Sequence, residues 1–146
     1  MSNFVDIQPH EAIYSNRAAS YIAIKEFARA KEDCKMAVRL NPDFARTYKR
    51  LFKAHLALGH VQEAEQALKT ALQKDPNDRA NPADTKLMEN VSYQHRMVEK
   101  FGHNENPDER DYEKCASYCK QIIETCSHSV YHICLKIEMH LLSLQL

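Results

Sequence analysis

The sequence EAIYSNRAASYIAIKEFARAKEDCKMAVRLNPDF at residues 11–44 is followed at once by ARTYKRLFKAHLALGHVQEAEQALKTALQKDPND at residues 45–78. At a shift of 34 residues Tyr14 falls on Tyr48, Ala30 on Ala64, Ala37 on Ala71 and Pro42 on Pro76. Phe27 falls on Val61 and Cys34 on Leu68 as apolar equivalents. A fixed period of this length marks a helical repeat array. The first copy predicts a helix through about Ala23, a tight turn at Lys25 and Glu26, and a second helix from Phe27 to Leu40. Asn41, Pro42 and Asp43 close it.

The recurring residue types have physical reasons. Ala30 and Ala37 lie seven apart on the second helix and let its backbone come close to the first, while Tyr21 and Phe27 fill the wider gaps. Pro42 and Pro76 suit the first turn of the helix that follows, where the missing N–H has no partner to lose. Gly59 suits a left-handed cap at the end of a helix. A single hairpin leaves one apolar face bare, so hairpins stack. The expected product is a right-handed solenoid whose concave surface is lined by the first helix of each pair.

The second half is less regular. Asp84 to Phe101 predicts a long first helix, Gly102 to Glu109 a polar loop, and Asp111 to Cys126 a second helix with Cys115 and Ile122 where the earlier copies have alanine or another small residue. Val130 to Leu144 predicts one more first helix. At the other end, Phe4 to Pro9 reads as the last turn of a preceding second helix. The expectation is one domain over residues 1–146, with repeats at 11–44 and 45–78, a divergent repeat with an enlarged loop at 82–127, and a partial repeat at 128–146. The chain reads as an excerpt of a longer array. Neither end carries the polar cap that a solenoid needs, so self-association through the uncapped ends is expected.

Composition agrees and narrows the function classes. Two glycines, no tryptophan, 44% hydrophobic and 27% charged residues describe a helix-rich globular chain. Twenty basic residues balance twenty acidic ones, which removes the charge excess that drives binding to nucleic acid or to a membrane surface. No apolar run approaches the length needed to cross a bilayer, and the N-terminus has no basic region followed by an apolar signal core, so a cytoplasmic or nuclear location is expected. Five cysteines do not make a secreted disulfide framework.

The run from Ala12 to Asp78 closely resembles two consecutive tetratricopeptide repeats (TPR), with Tyr14, Ala18, Tyr21, Ala30, Ala37 and Pro42 at the family's signature positions. The segment Ala83 to Leu146, with Leu135, Lys136, Ile137 and Glu138, is similar to the middle of the TPR region of DnaJ-type co-chaperones, although no His-Pro-Asp tripeptide of a J domain occurs. The resemblance implies an all-α solenoid that binds protein rather than an enzyme. It also implies specific residues. Asn16, Arg46 and Arg50 match three of the five positions of the carboxylate clamp of co-chaperones that bind the C-terminal Glu-Glu-Val-Asp tail of Hsp70 and Hsp90, with Arg46 where lysine is usual. The other two come from an earlier first helix that these 146 residues do not contain.

The chemistry suits that task. A terminal aspartate offers two carboxylates, of which a guanidinium can hold one by two charge-assisted hydrogen bonds while an asparagine amide donates to the other. Ala19 leaves room for an apolar ligand side chain, and Lys49 and Lys53 are expected to add positive potential to the groove. The alternative is a TPR scaffold for another protein, in which these basic residues form a solvated face.

Other chemistries are less well supplied. Cys115, Cys119, Cys126, His128, His132 and Cys134 crowd one segment, but the paired spacings of structural zinc sites are missing, and buried cysteine acts as a small hydrophobe. No metal or cofactor is expected. There is no glycine-rich phosphate loop, nucleophile elbow or HExxH, so no catalytic residue is assigned.

Overall fold

A computed structural model describes residues 10–106 and 110–145 of the chain. Among them are seven α-helices and no strand: α1 Glu11–Ala23, α2 Phe27–Leu40, α3 Ala45–Leu58, α4 Val61–Lys74, α5 Asn81–Gly102, α6 Tyr112–Thr125 and α7 Val130–Ser143. The two regular hairpins fall where the period puts them. The expected turn of helix at Phe4 to Pro9 lies outside the described residues.

Each boundary has a local cause. The turn after α1 holds Lys25 at a left-handed φ of 61°, and Gly59 caps α3 with φ 76°, a conformation a side chain resists. Ser129 Oγ sits where a Cβ on Gly59 would stand, so this glycine is required twice over. α6 opens on Asp111, whose carboxylate accepts from the Lys114 N–H at 2.9 Å, and α7 opens on Ser129, which caps the His132 N–H.

Two expectations need correction. Pro42 and Pro76 do not enter the next helix; they lie in turns, three and five residues before Ala45 and Asn81. Their effect is to stop α2 and α4, as proline just past a helix end does. The proline in a first helical turn is Pro82, which lets α5 begin at Asn81, earlier than Asp84.

The core is built on small residues. Ala18, Ala30, Ala37, Ala54, Ala64 and Ala71 are fully buried, and in the divergent hairpin Cys115, Cys119 and Ile122 occupy the equivalent interior. α2 packs between α1 and α3, and α6 between α5 and α7, so the chain forms an α-solenoid of antiparallel hairpins, two regular and one divergent, followed by the lone helix α7. α5 has 22 residues against 14 in α6, about 12 Å of extra length. The α6–α7 turn therefore arrives beside the α3–α4 turn: the His128 N–H donates to the Ala57 carbonyl at 3.0 Å, and the His128 ring meets the Phe27 ring edge-on.

Candidate functional site

The open face of the first two hairpins is made by α1 and α3, which touch directly. Ser15 on α1 and Thr47 on α3 are fully buried between them, with the Thr47 hydroxyl donating to Ser15 Oγ at 2.9 Å. Arg50 lies one turn along α3. Its Nη1 donates to Ser15 Oγ at 2.6 Å and to Asn16 Oδ1 at 3.3 Å. The guanidinium is thus held on one edge by α1, in a partly buried position where burial first and the like charge of Arg46 second push its pKa down.

A cation in this state favours a carboxylate. No acidic partner within ion-pair distance is found for Arg46, Arg50 or Lys53 among the described residues. Arg46 is exposed one turn before Arg50, Lys53 is exposed one turn after it, and Asn16 is exposed beside it on α1 with its amide nitrogen unengaged among the described residues. Ala19, half-buried, follows Asn16 by one turn. The structure therefore brings Asn16, Arg46 and Arg50 onto one face.

Lys49 departs from expectation. Its ammonium sits 2.9 Å from Asp78 and 3.4 Å from Asp84, with only 13% of the side chain exposed. Its charge is matched by two carboxylates and adds little to the groove; it ties α3 to the α4–α5 turn and to α5. The Ala80 N–H and Lys49 hold the Asp78 carboxyl below its ordinary range, with a weaker pull from Lys53. Arg46 and Lys49 also border a small cleft of about 140 Å³ with Asp75 and Asp78, so the positive face has an acidic margin.

Ser15, Thr47 and Asp84 were not visible as site residues in the repeat alignment. Ser15 and Thr47 are 32 residues apart and so do not share a repeat position, and Asp84 belongs to a different repeat from the lysine it meets. The cysteines take no part: Cys115, Cys119 and Cys126 are buried in the core, and burial pushes Cys126 up to about 12. No three His, Cys, Asp or Glu side chains among the described residues are grouped to hold a metal ion.

Residues 21–86 match the family described as "Tetratricopeptide repeat". Just under half of the chain thus matches the tetratricopeptide repeat (TPR). The chain is similar to Heat shock protein STI1 of Saccharomyces cerevisiae, at 42% identity over 72 residues, covering 49% of the chain and 12% of that protein. It is similar over a longer stretch to the Hsp70/Hsp90 co-chaperone CNS1 of the same organism, at 29% identity over 102 residues, 70% of the chain and 25% of that protein. The chain thus spans a small part of these relatives' length. Among solved structures it resembles "First TPR of Spaghetti (RPAP3) bound to HSP90 peptide SRMEEVD", with a TM-score of 0.56 and 28% identity over 57% of this chain and 67% of that one. No helix among the described residues is long and apolar enough to cross a membrane.

Proposed function

We propose that the α1–α3 face binds an acidic peptide by its C-terminal carboxylate, and that the chain serves as a co-chaperone adaptor for the Glu-Glu-Val-Asp tail of Hsp70 or Hsp90. The observation that carries this reading is Arg50, anchored by Ser15 and Asn16 yet without an acidic partner among the described residues. A guanidinium fixed on one edge loses less freedom on meeting a carboxylate, and its remaining N–H groups form a planar fork for two acceptor oxygens. In this arrangement Arg50 takes the terminal carboxylate and the Asn16 amide donates to its second oxygen. Arg46 meets a side-chain carboxylate of the ligand, and Ala19 leaves room for its valine. Lys53 contributes long-range attraction, and Lys49 positions α3 rather than the ligand.

The co-chaperone relatives and the peptide-bound TPR neighbour support the reading. Backbone amide NMR tests it. On titration with a peptide ending in Glu-Glu-Val-Asp, shifts should centre on Asn16, Ala19, Arg46 and Arg50. Shifts confined to α2 and α4 would replace the clamp with a scaffold that binds on its convex side.

A further inference from the structure

On α7 the inner side, His132, Leu135 and Met139, is buried. The outer side carries Val130, Ile133, Ile137, Leu141 and Leu144, exposed by 70%, 38%, 56%, 58% and 83%. Measured from Ile137 these positions are −7, −4, 0, +4 and +7. At 3.6 residues per turn all five lie within about 40° of the Ile137 direction. The stripe reads the same from either end of the helix. Such a pattern is self-complementary: turned end for end about Ile137, it presents Leu141 to Ile133 and Leu144 to Val130.

We propose that this stripe is a dimer interface, in which α7 packs antiparallel against α7 of a second copy about a two-fold axis beside Ile137. A two-fold contact uses one patch twice and closes on itself, and the spacing satisfies that condition without any second surface. Antiparallel packing also places the N-terminus of α7, at Ser129, near the C-terminus of the partner's helix, so the helix dipoles attract. Lys136 and Glu138 stand about 100° to either side of Ile137, at the margin, where the like charges of the two copies point into water. The net charge is zero, so copies meet without long-range repulsion. Covering the five side chains removes about 500 Å² from each copy, or about 1,000 Å² in total, at the lower limit of specific interfaces. An interface of this size sits at the weak end of specific association.

Sedimentation equilibrium of the 146-residue chain from 1 to 200 μM tests the proposal. The expected result is a shift from 16.9 kDa to twice that mass, abolished by Ile137→Asp with helix content unchanged by circular dichroism. A chain that stays monomeric at 200 μM, a dimer indifferent to Ile137→Asp, or open-ended growth to larger species would each overturn it. Orientation is read separately by cysteine pairing, in the Cys134→Ser background to remove the exposed thiol. Oxidation with copper phenanthroline should link Ile137→Cys to itself and leave Leu144→Cys unlinked. Self-linking of Leu144→Cys would mean a parallel pair, and the antiparallel interface would be wrong.

Discussion

His95 Nδ1 stands 3.2 Å from His132 Nε2, joining α5 of the divergent hairpin to α7. The chain of contacts continues in both directions, from Gln62 on α4 to His95 at 3.4 Å and from His132 Nδ1 to Ser129 Oγ at 2.6 Å. Nearby, the His55 and His60 rings meet through their Nδ1 atoms at 3.3 Å. Each contact between two rings needs one neutral nitrogen as acceptor. Of these rings, His55 and His132 are buried, and burial favours their neutral form.

This arrangement makes stability depend on mild acid. Burial first, with the like-charged neighbours His60 and His95 second, lowers both His55 and His132 to about 4, against the weaker opposing pull of Glu63 and Glu99. Lys31 and Lys35 push His55 the same way. Because the folded pKa lies below the unfolded one, the unfolded chain takes protons first. Stability is complete above about pH 6.5 and falls as the pH drops toward 4, by roughly 3 kcal/mol per histidine at full extent. Urea unfolding at pH 7.5, 6 and 5 should show this decline, and His132→Gln should flatten it. A curve level between pH 7 and 5 would contradict the buried neutral pairs.

The left-handed residues at the two hairpin turns should respond to substitution with opposite signs. Gly59→Ala places a Cβ at φ 76° and against Ser129, and should cost about 2 kcal/mol or more. Lys25→Gly relieves a side chain at φ 61° in an exposed turn and should be neutral or stabilising by up to about 1 kcal/mol. Thermal unfolding of the two variants checks both signs together.

Lys49 and Arg50, adjacent in sequence, should separate into a structural and a binding role. Lys49→Met removes the cation shared by Asp78 and Asp84, and should lower stability. Its effect on peptide affinity should stay within about twofold, since its charge is already matched in the free protein. A loss as large as that of Arg50→Ala would mean that the peptide draws Lys49 away from its two carboxylates.

Much of the fold was legible because small residues leave a strong periodic signature. Ala30, Ala37, Ala64 and Ala71 are buried where the 34-residue shift predicts, and Cys115 and Ile122 could be recognised as their substitutes. The start of α5, expected at Asp84, comes three residues earlier because Pro82 is taken into the helix's first turn, where its missing N–H has no partner to lose. The return of the α6–α7 turn to Gly59 follows from the unequal lengths of α5 and α6, a difference that a repeat alignment absorbs into a loop. At the site, the alignment selected Asn16 and Arg50 because they share a repeat position. It could not show that Lys49 meets Asp84, since that depends on how one hairpin is seated on the next.

The reading of the α1–α3 face is tested most directly by calorimetry with one peptide in two forms. If Asn16, Arg46 and Arg50 act as three of five clamp positions, the two hydrogen bonds to a charged group that residues 1–146 do not supply would cost about 3 kcal/mol, or about a hundredfold in affinity. A peptide ending in Glu-Glu-Val-Asp with a free carboxylate should therefore bind at roughly 100 μM if a complete clamp binds near 1 μM. Added salt should weaken binding, since the groove is partly exposed. The same peptide amidated at its C-terminus should show no detectable binding, nor should the free peptide with Arg50→Ala, whose helix content should be unchanged. Equal affinity for the free and amidated peptides would contradict the clamp and leave a TPR scaffold that recognises its partner by other means.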